Sequence, residues 1–237
     1  MPNDYFQFKQ FTVYHDRCAM KVGTDGVLLG AWADVSGASS ILDVGSGSGL
    51  IALMMAQRTE SAKIFAVEID RQASDQSKEN YARSPWNDRL IPVNDSFQHF
   101  AQTTSQRFDL IISNPPFFSN SLKAAGQERT DARHDDSLPH PALLHHSSVL
   151  LNEHGKLAVI IPFDICSSFI SAAAAENLFC IRKTLVSSKP GQAFIRALLE
   201  FSKKPHPVEK TNFVIYTGAN DYSAEYKNLT KDFYLNF

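Results

Sequence analysis

Four consecutive residues, Asn114-Pro115-Pro116-Phe117, follow an apolar run from Phe108 to Ser113. Two prolines directly after a strand remove two backbone donors and fix φ. The backbone cannot fold back on itself there, which leaves the Asn114 side chain and the Pro115 carbonyl exposed and rigid. A Pro-rich turn that merely ends a strand reads the same in isolation, but the two oxygens suit one chemistry well. The nitrogen of an aromatic amine is a poor nucleophile, because its lone pair is delocalised into the ring. Two acceptors facing its two N–H groups polarise it and favour a pyramidal nitrogen whose lone pair points at a methyl donor. This is preorganised electrostatics. The proton can leave after transfer, so no histidine base is required. Phe117 can stack on a flat substrate ring.

A second group lies upstream. Asp43-Val44-Gly45-Ser46-Gly47-Ser48-Gly49 follows a strand and opens a helix. Glycines there permit a tight turn and close approach of backbone to ligand. The spacing is Gly-x-Gly-x-Gly rather than the Gly-x-Gly-x-x-Gly of dinucleotide sites, and Asp43 stands beside it. An adjacent carboxylate suits a ligand carrying an ammonium and a sulfonium better than one carrying phosphates. Glu68 ends the next strand and can accept from both hydroxyls of a ribose. Asp70 reads equally as a helix cap or a cofactor contact. Asp95-Ser96-Phe97 stands after the third strand, where Asp95 can accept from an adenine amino group and Phe97 can lie against the ring. A helix cap with a core phenylalanine fits those three residues equally well.

The elements that must position these groups alternate. Ser40–Val44, Lys63–Val67, Arg89–Val93, Phe108–Ser113 and Lys156–Ile161 read as strands, the fourth a continuous apolar run suited to a sheet centre. Helices are expected over 49–57, 71–83, 140–151 and 165–175. The runs 179–186 and 192–201, joined through Lys189-Pro190-Gly191, predict an antiparallel hairpin at one sheet edge. All three ligand groups then fall at the carboxyl ends of successive strands, where open α/β sheets bind ligands. Short alternating runs near Phe6 and Phe11 precede a helix over 25–33, with Thr24 or Asp25 as its cap. The expected division is an extension or lid over 1–35, a catalytic core over 36–203 and a C-terminal extension over 204–237. Residues 117–139 show no periodicity and read as a functional loop.

With 237 residues, 43% of them apolar, the chain can bury a sizeable core as one α/β domain. A net charge of −2 argues against an architectural DNA wrapper, though not against local nucleic-acid contacts. No apolar stretch spans a bilayer and no signal peptide is recognisable. Cys18, Cys166 and Cys180 lack metal-like spacing and read as reduced thiols in a cytoplasmic protein. His145 and His146 have no companion ligands, so no metal is expected.

The glycine loop, Glu68, Asp95 and Asn114-Pro115-Pro116-Phe117 resemble the corresponding features of class I Rossmann-fold amino-methyltransferases. The segments Met20 to Trp32 and Leu229 to Leu235 are similar to those of the bacterial tRNA1(Val) adenine-N6-methyltransferase family, whose members methylate the adenosine immediately 3′ of the anticodon. The resemblance covers nearly the whole chain. It implies a Rossmann-like α/β fold, with a mostly parallel seven-stranded sheet and an antiparallel edge hairpin. It also implies S-adenosyl-L-methionine as cofactor, with Lys21, Thr24 and Asp25 near its methionine end. The remaining cofactor contacts fall to Asp43, Gly45, Gly47, Gly49, Glu68, Asp95, Ser96 and Phe97. The substrate implied is tRNA, and a monomer is expected.

Phosphate contacts dominate RNA affinity. Candidates are Arg129 and Arg133, with Gln127 and His134, in the loop after the proline motif. Lys203, Lys204, His206 and Lys210 lie beyond the last strand of the hairpin. Competing readings are DNA or rRNA adenine, a protein glutamine, a nicotinamide-dependent oxidoreductase and a non-catalytic RNA-binding module. Protein-glutamine enzymes tend to carry Tyr where Phe117 stands. The glycine spacing and the proline motif weigh against an oxidoreductase, and mere binding needs neither feature.

Overall fold

A computed structural model describes residues 3–116, 138–218 and 221–237. A small antiparallel hairpin opens the chain, β1 (Tyr5–Gln7) against β2 (Thr12–Tyr14), with Phe6 opposite Val13. Helix α1 (Thr24–Trp32) follows. Strands and helices then alternate through β3 (Ser40–Val44), α2 (Leu50–Arg58), β4 (Lys63–Glu68), α3 (Arg71–Ala82) and β5 (Leu90–Asn94). The second half contains α4 (Phe97–Thr103), β6 (Phe108–Ser113), α5 (His140–Leu150), β7 (Leu151–Pro162), a 3₁₀ turn (Phe163–Ile165) and α6 (Cys166–Ala175). It closes with β8 (Phe179–Ser187), β9 (Phe194–Ser202), β10 (Glu209–Val214) and α7 (Ala224–Thr230).

The main sheet has the order β10-β8-β9-β7-β6-β3-β4-β5. Only β9 runs against its neighbours. From β3 the chain winds outward to β5, then returns to β6 on the other side of β3. That reversal makes the carboxyl ends of β3 and β6 a topological switch point, the place where an open α/β sheet leaves a crevice. The strand alternation serves two cores. Ile41, Leu110 and Ile112 pack with α1 and α2 on one face; Leu42, Val44 and Ile111 pack with α4, α5 and α6 on the other. Burying side chains of this size contributes roughly 1.5–3 kcal/mol each.

The mixed α/β sheet matches the sequence expectation, with two differences of detail. The sheet has eight strands, and the β8–β9 hairpin is not its margin. Strand β10 pairs parallel to β8 and forms the edge. Its first four residues, Glu209 to Asn212, are polar and exposed, so only Phe213 and Val214 hint at a strand. At α1, the N-cap position is Gly23, and no side chain caps it. Thr24 is already helical, and the Asp25 carboxylate is drawn instead to Arg196 on β9 (2.8 Å).

Both termini pack on the α1–α2 face. Phe8, Phe11 and Val13 are buried there, as are Tyr226 and Phe233. Helix α3 holds the N-terminal segment by side-chain bonds. Asn80 accepts from Tyr14 N (3.0 Å) and donates to Tyr14 O (2.8 Å), and Gln76 accepts from Arg17 N (3.0 Å). Among the described residues no helix is long and apolar enough to cross a membrane.

Candidate active site

The glycine loop leaves β3 with Gly45, Gly47 and Gly49 all at positive φ (71°, 52° and 84°). Gly45 N and Ser46 N both donate to Val67 O, at 2.9 and 3.1 Å, which ties the loop to β4. Cβ atoms at Gly45 and Gly47 would meet open space, whereas one at Gly49 would overlap the Tyr81 ring. The first two glycines therefore line free volume, and the third lets α3 pack against the start of α2.

Asp43 alternates out of the β3 core stripe toward α2 and is fully buried. Its Oδ2 accepts from Ala52 N (3.0 Å), in the first turn of α2, where Gly49 offers no capping side chain. Its Oδ1 has no partner. Burial pushes the Asp43 carboxyl up to about 7, and the nearby Glu68 charge adds to this. An acidic group so placed favours a cation arriving beside it.

Glu68 ends β4 with both oxygens bonded to backbone: Oε2 accepts from Gly47 N (2.8 Å) and Oε1 from Asp70 N (2.9 Å). A carboxylate offers about four acceptor positions, so each oxygen retains capacity for a ligand hydroxyl. Asp70 caps α3 by accepting from Ala73 N (2.8 Å). Asp95 follows β5; its Oδ1 accepts from Ser96 N (2.8 Å) and its Oδ2 meets His99 Nδ1 (2.6 Å). Ser96, not Asp95, caps α4 by accepting from His99 N (3.1 Å). Phe97 is buried in the second core, with one side on the crevice.

Gly45, Glu68, Asp95, Ser96 and Phe97 line one cleft of about 270 Å³ together with Val44, Val67, Ile69, Gln98 and Leu138. Among the described residues no lysine or arginine lines it. That donor set does not suit a pyrophosphate and does fit a ligand that is cationic at one end and carries a ribose and an adenine. Ile69, Gln98 and Leu138 were not foreseen from sequence. The signal for the first two was their position, each one residue beyond an expected contact.

Asn114 and Pro115 follow β6 directly. Asn114 Oδ1 is buried and, among the described residues, has no hydrogen-bond partner. Pro115 is buried and Pro116 half-buried. Ser113 Oγ donates to Val44 O (2.8 Å), so the proline motif is joined to the strand that carries the glycine loop. Phe117 lies outside the described residues, as do Gln127, Arg129, Arg133 and His134.

The start of α1 lies beside the loop: a Cβ at Gly26 would come within 3.0 Å of Leu50 Cδ2. Asp25, one residue earlier, is held by Arg196 (2.8 Å), and Lys21 reaches Asn3 O with its ammonium (3.3 Å). Lys203 and Lys204 are not brought to this site. Lys203 Nζ donates to Leu151 O (2.7 Å) and Lys204 Nζ pairs with Glu153 (2.7 Å), at the end of the sheet where β7 begins.

The site's layout has close relatives. A family model described as the methyltransferase small domain matches residues 23–165. The tRNA1(Val) (adenine(37)-N6)-methyltransferase of Bacteroides thetaiotaomicron is 47% identical over 237 residues, covering 100% of this chain and 99% of that protein. The chain belongs to the tRNA1(Val) (adenine(37)-N6)-methyltransferase family. The member from Trichodesmium erythraeum is 49% identical over 239 residues, with 100% of each chain covered. Among solved structures, a predicted O-methyltransferase from Agrobacterium tumefaciens superposes with a TM-score of 0.68 over 88% of this chain and 96% of that one, at 17% identity. That likeness concerns the fold alone.

Proposed function

We propose that this protein transfers a methyl group from S-adenosyl-L-methionine to the exocyclic N6 of an adenosine in tRNA, the adenosine immediately 3′ of the anticodon in tRNA1(Val). One observation carries the reaction type: the buried Oδ1 of Asn114 at the end of the central strand, without a partner among the described residues. A buried acceptor without a donor costs about 1–3 kcal/mol, so a structure retains one where a ligand supplies the missing hydrogen. An adenine N6 amine brings two such hydrogens. Asn114 Oδ1 takes one and the carbonyl of Pro115 the other, which turns the nitrogen lone pair out of the ring plane. Pro116 keeps that carbonyl from rotating. Phe117 stacks on the base.

When bound, the cofactor supplies a methyl group on a cationic sulfur. Asp43 and the turn at Gly45, Gly47 and Gly49 hold its amino-acid end, with Lys21, Thr24 and Asp25 from the segment before α1. Glu68 accepts from the ribose hydroxyls, Asp95 from the adenine amine, and Ser96 and Phe97 border the ring. Residues 36–203 are the catalytic core in this reading, with an N-terminal extension over 1–35 and a C-terminal extension over 204–237 that adds β10 to the core sheet. We infer a cytoplasmic monomer.

The test is incubation with labelled S-adenosylmethionine and total tRNA from a strain lacking this protein, followed by nucleoside mass spectrometry. N6-methyladenosine in tRNA alone is the expected product. Label in DNA, in rRNA or in a protein glutamine would replace the substrate, and no transfer would remove the reaction.

A further inference from the structure

The two halves of the site sit on different strands, and backbone bonds join most of them. Loop amides of Gly45 and Ser46 reach Val67 O, and the amide of Asp95 reaches Glu68 O (3.1 Å), so β3, β4 and β5 are laced together past their ladders. The β6 side is joined differently. In the motif after β6 only Asn114 carries an N–H, Pro115 and Pro116 having none, and the β3–β6 ladder ends at the pair Val44 and Ser113. At that last pair a side-chain bond also crosses to β3, Ser113 Oγ to Val44 O, 2.8 Å, from a fully buried hydroxyl.

We propose that Ser113 is a positioning residue whose hydroxyl adds a side-chain tie to β3 just before the two prolines, which offer no backbone donor, and sets the separation between the amine-holding oxygens of Asn114 and Pro115 and the cofactor held by the β3 turn. Val44 borders the cofactor cleft and Asn114 is the next residue after Ser113, so this single bond spans donor side to acceptor side. The inference rests on the methyl-transfer reading above. A reacting pair displaced by about 1 Å can lose on the order of a hundredfold in rate, while each ligand still binds its own half.

The test uses Ser113→Ala and the near-isosteric Ser113→Cys, a weak donor, with two independent readouts. In the ligand-free protein, amide hydrogen exchange over 44–47 and 112–114 should quicken by about tenfold in the Ala variant, with the rest of the sheet unchanged. In steady state, kcat should fall at least about tenfold while KM for tRNA and the calorimetric Kd for S-adenosylmethionine stay within about twofold, with Cys intermediate. Wild-type exchange and kcat in Ser113→Ala would overturn the inference. So would a kcat loss matched by weaker cofactor binding and loss of protection throughout the sheet, which is the pattern of a purely structural serine. An inactive wild-type enzyme would instead remove the proposed function, and the exchange readout would still decide whether Ser113 clamps the two strands.

Discussion

The Glu68 carboxylate accepts the amide hydrogen of Gly47 at 2.8 Å, twenty-one residues away along the chain and one strand across the sheet. The residue expected to grip the ribose is therefore also the residue that fixes the shape of the glycine turn. Its second oxygen holds the Asp70 amide, at the cap of the next helix. One carboxylate thus couples cofactor contact to loop conformation.

Glu68→Ala is expected to weaken S-adenosylmethionine binding by about 10- to 100-fold, as the loss of two charge-assisted hydrogen bonds implies. Glu68→Gln should recover part of that, because its amide oxygen can still accept from Gly47 N. Calorimetric titration of the three proteins checks the order. Equal affinity in all three would separate Glu68 from the cofactor.

Gly49→Ala tests the packing of the turn rather than its chemistry. At φ 84° a Cβ is strained, and it would overlap the fully packed Tyr81 ring. Strain of about 1–2 kcal/mol and overpacking of about 1–3 kcal/mol should together lower stability by roughly 2–5 kcal/mol. At Gly45, where a Cβ meets open space, alanine should cost stability the strain alone while still weakening cofactor binding. Urea melts of both variants measure the difference.

Asp43 predicts a pH dependence. Its carboxyl is raised from an ordinary 3.8 to about 7 in the fold, so between those values the native state holds a proton that the unfolded chain has lost. Its contribution to the stability of the ligand-free protein is present below about pH 4 and is lost as pH rises through about 7. Cofactor binding runs the other way, because a cationic ligand selects the ionised form. Affinity for S-adenosylmethionine should improve as pH rises from 5.5 to about 8, and Asp43→Asn should bind more weakly with a flattened profile. A wild-type profile as flat as that of the variant would take Asp43 out of the binding step.

Most of the site's chemistry was legible locally. The glycine spacing, Asp43 beside it, the acidic residues at successive strand ends and the proline motif each lie within a few residues of a strand signal. What escaped the sequence was non-local or short. Helix α4 has seven residues and little periodicity; its start at Phe97 is visible only once Ser96 is seen to cap it. Strand β10 is polar over its first four residues, and its place beside β8 shows only in the parallel pairing. The bonds of Glu68 to Gly47 and of Ser113 to Val44 join residues 21 and 69 positions apart, which no spacing rule reports. Lys203 and Lys204 were candidates for RNA contacts; where their ammonium groups rest, on β7 at the far end of the sheet, is set by tertiary contacts that no spacing shows.

The central claim is that Asn114 Oδ1 and the Pro115 carbonyl orient the amine, and Asn114→Ala tests it most directly. Single-turnover methylation of tRNA by the preloaded variant should fall by at least about a hundred- to a thousandfold, the usual effect of deleting one preorganised polar group at a reacting centre. Its calorimetric Kd for S-adenosylmethionine should stay within about twofold of wild type, since the cofactor's own contacts are elsewhere. Methyl transfer at the wild-type rate in Asn114→Ala would contradict the account.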